Sequence, residues 1–295
     1  MTGGQGTPVR FGRGDGGVPP WTLAVAAMLI IQLVNALSVE LIDELGPAGT
    51  AWLRLTLGAV ILVMIARPPL RRVRRRDLLP LVGLGAATAL MMMAFLFAID
   101  RIPLGTAVAI EFLGPLGVAA MMSGGRRALV WPGLALGGVV LLTEPWSGAV
   151  DPVGIGFAVL AGIGWGSYML LTQRVGDRFT GVSALSLTIP IAAVLAAPLG
   201  IPPLLGELTL PQLALALGLA ALTPVISLGL EMLALRRMTH TAFGTLMSLE
   251  PAFGVFLGAL LLAQRPTPLQ IAGIALVVLA GAAAQRGGVR GDSAS

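Results

Sequence analysis

The sequence predicts an all-α integral membrane protein with ten transmembrane helices in two inverted five-helix repeats, both termini cytoplasmic. Three observations carry this expectation. Hydrophobic residues make up 56% of the chain and charged residues 11%, with a mean hydropathy of +0.90, whereas a soluble domain carries roughly 25% charged residues. Ten apolar runs of about bilayer-crossing length follow one another along the chain. Residues 98–118 also recur at 234–254, with Ala98, Arg101 and Pro115 returning 136 positions later as Ala234, Arg237 and Pro251. Five runs per copy is an odd number, so the second copy must cross the membrane in the opposite sense to the first.

The runs fall at 21–39, 48–66, 78–98, 104–122, 128–143, 154–173, 183–201, 211–235, 240–263 and 267–285. A Gly-rich tail, 1–19, is too polar to pack and is expected to be disordered. The first five runs form one repeat, 20–143, and the last five a second, 151–286, joined by a linker at 144–150. A short polar tail, 287–295, follows. Gly133 with Gly137, Gly162 with Gly166, and Gly254 with Gly258 are spaced for close helix contact, within the chain or in a homodimer.

Arginine placement sets the orientation. With a cytoplasmic N-terminus, sixteen of nineteen arginines lie in inside segments, only Arg101 and Arg265 lie outside, and Arg54 lies within a span. The net charge of +5 then follows from topology and calls for no nucleic-acid partner. The cluster Arg71–Arg76 is also suited to anionic membrane lipid. The chain has no Cys, no Lys and a single His, His240, which leaves little for nucleophilic or Schiff-base chemistry and makes an intramembrane enzyme a poor reading. No cofactor is expected.

Charges inside apolar runs are costly and mark function. Arg54 and Glu111 each lie about 10 Å inside the outer ends of their runs, which makes them candidate ion-pair partners. Glu250 lies about 15 Å deep, and Glu231 about 6 Å from the cytoplasmic end of its run, where it could instead reach toward Arg236 or Arg237. Pro115 and Pro251 lack an amide hydrogen, so they free the carbonyls of Glu111 and Met247, which are repeat partners. Those carbonyls are expected to need a partner such as a solute ammonium, a water or a hydroxyl. Gln32, Asn35 and Ser38 share one face of the first run, and Trp165, Tyr168 and Thr172 one face of the sixth. Buried acids on interrupted helices of a duplicated chain point to a carrier whose small-molecule site lies between the repeats, with protons as the coupling partner.

The stretches LEMLALRRMTHTAFGTLMSLEPAFGVFLGALLL (230–262), IPLGTAVAIEFLGPLGVA (102–119) and WLRLTLGAVIL (52–62) resemble the EamA-type drug/metabolite transporter superfamily, most closely its threonine and homoserine exporter branch. The likeness runs over nearly all ten runs. It implies a proton-driven inner-membrane efflux carrier for small amino acids or related metabolites. Matched residue by residue, it points to Arg54, Glu111, Pro115, Glu231, Glu250 and Pro251. Where relatives commonly carry a Lys late in the first span, this chain has Val39 beside Glu40. Export of lipophilic cations and flipping of a lipid carrier are the competing readings within the superfamily.

Overall fold

The computed structural model describes residues 19–66, 73–122, 129–147, 151–176, 182–206, 208–235, 237–238 and 240–287, and among them it contains helices and no strand. The expectations for most of both tails, and for parts of the connections between runs, fall outside these residues. The helices are α1 (Pro20–Ala66), α2 (Arg75–Ile99), α3 (Leu104–Glu111), α4 (Leu113–Met122), α5 (Val130–Thr143) and α6 (Pro152–Gly176). They continue as α7 (Val182–Gly200), α8 (Leu210–Ala221), α9 (Leu228–Leu235), α10 (His240–Met247), α11 (Glu250–Leu261) and α12 (Pro268–Gly287). Six helical stretches among the described residues are long and apolar enough to cross a bilayer.

The 47 residues of α1 would reach about 70 Å if straight, more than twice the hydrocarbon thickness. They do not run straight. Gly46 has φ 71° and ψ 162°, a conformation open to glycine at little cost, and Pro47 then starts the next helical turn with its φ already fixed. Arg54 Nη1 lies 2.9 Å from Ser38 Oγ, although sixteen residues of straight helix would separate them by about 24 Å. The chain therefore doubles back at Gly46, and the first two apolar runs are its antiparallel limbs.

Three expected single helices are interrupted. The fourth run breaks at Phe112 between α3 and α4, and the ninth at Ser248 and Leu249 between α10 and α11. Phe112 and Ser248 are again 136 positions apart. The eighth run passes through a π-helical segment, Leu222–Ser227, between α8 and α9. The segment contains Pro224, a residue with no amide hydrogen to donate within a helix.

Glycines set the closest approaches. A Cβ on Gly162 would sit 3.0 Å from the Glu111 carbonyl oxygen, and one on Gly254 3.2 Å from Gly105 Cα. Gly138 and Gly273 face each other across α5 and α12, where a Cβ on either would lie 2.6 Å from the other's carbonyl oxygen. Gly133 and Gly137 differ from the expected pattern. No described residue lies within 4 Å of a Cβ at either, so this pair does not pack against the described part of the chain.

At one end of the bundle, distant segments are joined by polar contacts. Arg101 pairs with Asp151 at 3.1 Å, Leu104 N donates to Gln264 Oε1 at 3.2 Å, and Thr267 Oγ1 donates to Glu144 Oε1 at 2.7 Å. Gln270 Nε2 also donates to the Leu142 carbonyl at 3.3 Å. The Arg101 hydrogen bond holds the exposed Asp151 carboxyl below its ordinary pKa, aided by the amides of Gly154 and Val153.

A Cβ on Gly114 would overlap the Gly162 carbonyl oxygen. Gly114→Ala is thus expected to destabilise the purified protein by about 1–3 kcal/mol through overpacking. Gly137→Ala, which fills open space, should instead stabilise it by about 0.5–1 kcal/mol through helix propensity. Thermal unfolding in detergent of the two variants beside the wild type distinguishes these outcomes.

Candidate functional site

Eight of the polar and aromatic residues singled out in the sequence line one cavity of about 290 Å³, and Ser38 and Thr172 do not line it. Gln32 and Asn35 come from the first limb of α1 and Arg54 from the second; Glu111 ends α3. Trp165 and Tyr168 project from successive turns of α6, while Glu231 and Glu250 come from α9 and the first turn of α11. Residues more than two hundred positions apart thus meet at one place. The cavity lining runs to Leu185 and Glu231, in the first turns of α7 and α9. That direction leads away from the end joined by the Arg101–Asp151 contact.

Burial demands partners for these groups. Arg54 is 5% exposed, and its Nη1 donates to Ser38 Oγ, which donates in turn to the Val34 carbonyl at 2.6 Å. Asn35 Nδ2 donates to Gln32 Oε1 at 3.3 Å. Trp165 is held edge-on against Phe112 with ring centroids 6.1 Å apart, so the residue at the α3–α4 break fixes the aromatic wall.

The expected ion pair between Arg54 and Glu111 is not formed. Among the described residues, the ion pair within 4.0 Å is Arg101–Asp151, and Arg54 turns instead to Ser38. Equal depth placed Arg54 and Glu111 at one level but said nothing about the direction each helix face points. Glu231 likewise makes no ion pair with Arg237 and lines the cavity. Arg236 lies outside the described residues. Glu250 stands within electrostatic reach of both Glu231 and Glu111, so the three acids share one environment while the guanidinium keeps a neutral partner.

Pro115 and Pro251 are buried and do not line the cavity. The Glu111 carbonyl freed by Pro115 lies against Gly162 of α6, which covers it with protein. Met247, whose carbonyl Pro251 frees, does line the cavity.

Sequence reasoning missed the wall supplied by α2 and, apart from Glu231, the wall supplied by the α8–α9 segment. Thr88, Met91 and Phe95 line the cavity from α2, and Thr223, Ser227 and Glu231 line it from the π segment and α9. A usable signal was present in the repeat offset. Met91 and Ser227, and Phe95 and Glu231, are 136 positions apart, as are Gln32 and Tyr168, and Glu111 and Met247. Each pair contributes both members to the lining.

Residues 152–283 match the EamA-like transporter family. The chain is 34% identical over 265 residues to the threonine/homoserine exporter RhtA of Escherichia coli (strain K12), covering 88% of this chain and 89% of that protein. It is 24% identical over 268 residues to the pseudopaline exporter CntI of Pseudomonas aeruginosa (strain UCBPP-PA14), covering 88% and 93%. A crystal structure of a protein 19% identical in sequence superposes with a TM-score of 0.58 over 94% of this chain and 99% of that one, a likeness of fold alone. The chain belongs to the EamA-like drug/metabolite transporter family, on the branch that contains RhtA, and is a multi-pass protein of the bacterial inner membrane.

Proposed function

We propose that this protein is a secondary carrier that exports small amino acids of the threonine and homoserine kind, or related metabolites, in exchange for protons. The observation that carries the reading is one cavity holding Arg54, Glu111, Glu231 and Glu250 in a chain 34% identical to a threonine/homoserine exporter. Ten crossings with both termini cytoplasmic fit this reading. The limbs of α1 supply two crossings, and the interrupted runs α3–α4, α8–α9 and α10–α11 supply one each.

In this scheme the solute enters from the cytoplasm, its carboxylate meeting Arg54, whose planar fork suits a carboxylate. The acids receive its ammonium. The contacts at the opposite end then part as one repeat rocks against the other, and the cavity opens outward. Protons arriving from outside neutralise the carboxylates, release the ammonium and reset the carrier. One guanidinium facing three acids leaves an excess of carboxylate after a zwitterion has bound, and protons supply the balance. The same excess, together with Trp165 and Tyr168, favours lipophilic cations as the second reading.

Proton-gradient-driven uptake of labelled threonine and homoserine into inside-out vesicles tests the function. Uptake is expected in the wild type, with loss on addition of an uncoupler. Glu250→Gln should insert normally but lose gradient-driven uptake; wild-type coupling in that variant removes Glu250 from the mechanism. Arg54→Gln should raise the apparent KM for amino acids at least tenfold while sparing solutes without a carboxylate. Topology is open to a separate check because the chain lacks Cys. Single cysteines replacing Arg74 or Arg237 should react with an impermeant thiol reagent from the cytoplasmic side, and those replacing Asp100 or Ser147 from the outside.

A further inference from the structure

The cavity wall formed by the π segment carries hydroxyls whose hydrogens are already used. Ser227 Oγ donates to the Thr223 carbonyl, and Thr223 Oγ1 donates to the Leu219 carbonyl at 3.2 Å. Across the cavity, Thr88 Oγ1 donates to the Leu84 carbonyl at 2.8 Å. A hydroxyl has one hydrogen and two lone pairs, so each of these groups now offers the cavity acceptor capacity alone. Glu231 lies four residues beyond Ser227 on the same wall and, when ionised, is also purely an acceptor. The π segment thus presents a run of acceptors with no donor hydrogen of their own to spare.

The repeat makes this wall one-sided. The positions equivalent to Ser227 and Glu231 in the first copy are Met91 and Phe95, which also line the cavity. α2 is a regular helix there, whereas its counterpart is widened at Pro224. At these two positions one copy offers apolar side chains where the other offers a hydroxyl and a carboxylate. The backbone carbonyl of Glu111 is covered by Gly162 and withdrawn from the cavity.

We propose that Thr223, Ser227 and Glu231 form the ammonium subsite of the cavity, shaped by the π turn at Pro224, for solutes bearing a primary amine. This rests on the carrier reading above and assigns the amine end of the solute to the second repeat, with its carbon skeleton against Met91 and Phe95. A primary ammonium brings three donors and no acceptor, which matches a wall of acceptors. Arg54 remains for the carboxylate at the other pole.

Calorimetric binding to the purified full chain provides the test, using homoserine, 4-hydroxybutanoate, which lacks the amine, and 3-aminopropan-1-ol, which lacks the carboxylate. Wild type is expected to bind homoserine at least tenfold tighter than 4-hydroxybutanoate. In Thr223→Val/Ser227→Ala that ratio should fall below about threefold, with 4-hydroxybutanoate itself unaffected, and Ser227→Thr should retain the wild-type ratio. Pro224→Ala, which restores an amide donor and favours a regular helix, should lower the ratio without removing any acceptor side chain. An unchanged ratio in the folded double variant overturns the subsite, as does failure of the wild type to bind either amine. If homoserine is not transported, yet 3-aminopropan-1-ol binds wild type and is lost from the double variant, the amino-acid reading fails and the subsite stands.

Discussion

Hydrocarbon offers no hydrogen bonds, so a backbone amide or carbonyl within the membrane must find its partner in the protein or in a wet cavity. That constraint governs where this chain can depart from regular helix. At the α3–α4 break the displaced Glu111 carbonyl is covered by Gly162, whose missing side chain lets α6 come close enough to shield it. In the π segment the Ser227 and Thr223 hydroxyls cap neighbouring carbonyls, and the wall they belong to faces the cavity. At Gly46 the doubling-back of α1 brings Ser38 to Arg54 and gives the buried guanidinium a neutral partner. Each irregularity is matched by a small residue or a hydroxyl within reach.

Residues 136 positions apart line the cavity in pairs, and the members of a pair differ in chemistry. Met91 faces the space that Ser227 also faces, and Phe95 stands where the other copy has Glu231. A symmetric pair of walls would present the same surface twice. Exchange of apolar for polar residues at equivalent positions turns a symmetric scaffold into a container with a greasy side and a hydrogen-bonding side, as an amphipathic solute requires.

Much of this site was legible because ionised groups in an apolar run are conspicuous. Arg54, Glu111, Glu231 and Glu250 each stand out against hydrocarbon-like neighbours, and all four reach one cavity. Hydroxyls do not stand out, since Thr88, Thr223 and Ser227 satisfy themselves on their own helix and cost little to bury. The Arg54–Glu111 pairing was misread because distance along a helix gives depth and leaves azimuth open. Prolines were visible, but their consequences differ with surroundings: Pro115 follows a break shielded by a neighbouring helix, whereas Pro224 lies within a π turn. The turn at Gly46–Pro47 was readable as a boundary between apolar runs. The antiparallel fold-back was fixed only by the contact between Ser38 and Arg54.

The facing glycines of α5 and α12 have a mechanical meaning. Where Gly138 and Gly273 meet, backbone approaches backbone, with Leu142 and Val277 packed around the contact. Two surfaces in such registry resist shear, because a shift of even an ångström would drive a carbonyl into the opposing chain. Spectroscopic probes flanking this seam would therefore report directly on any sliding of α5 against α12.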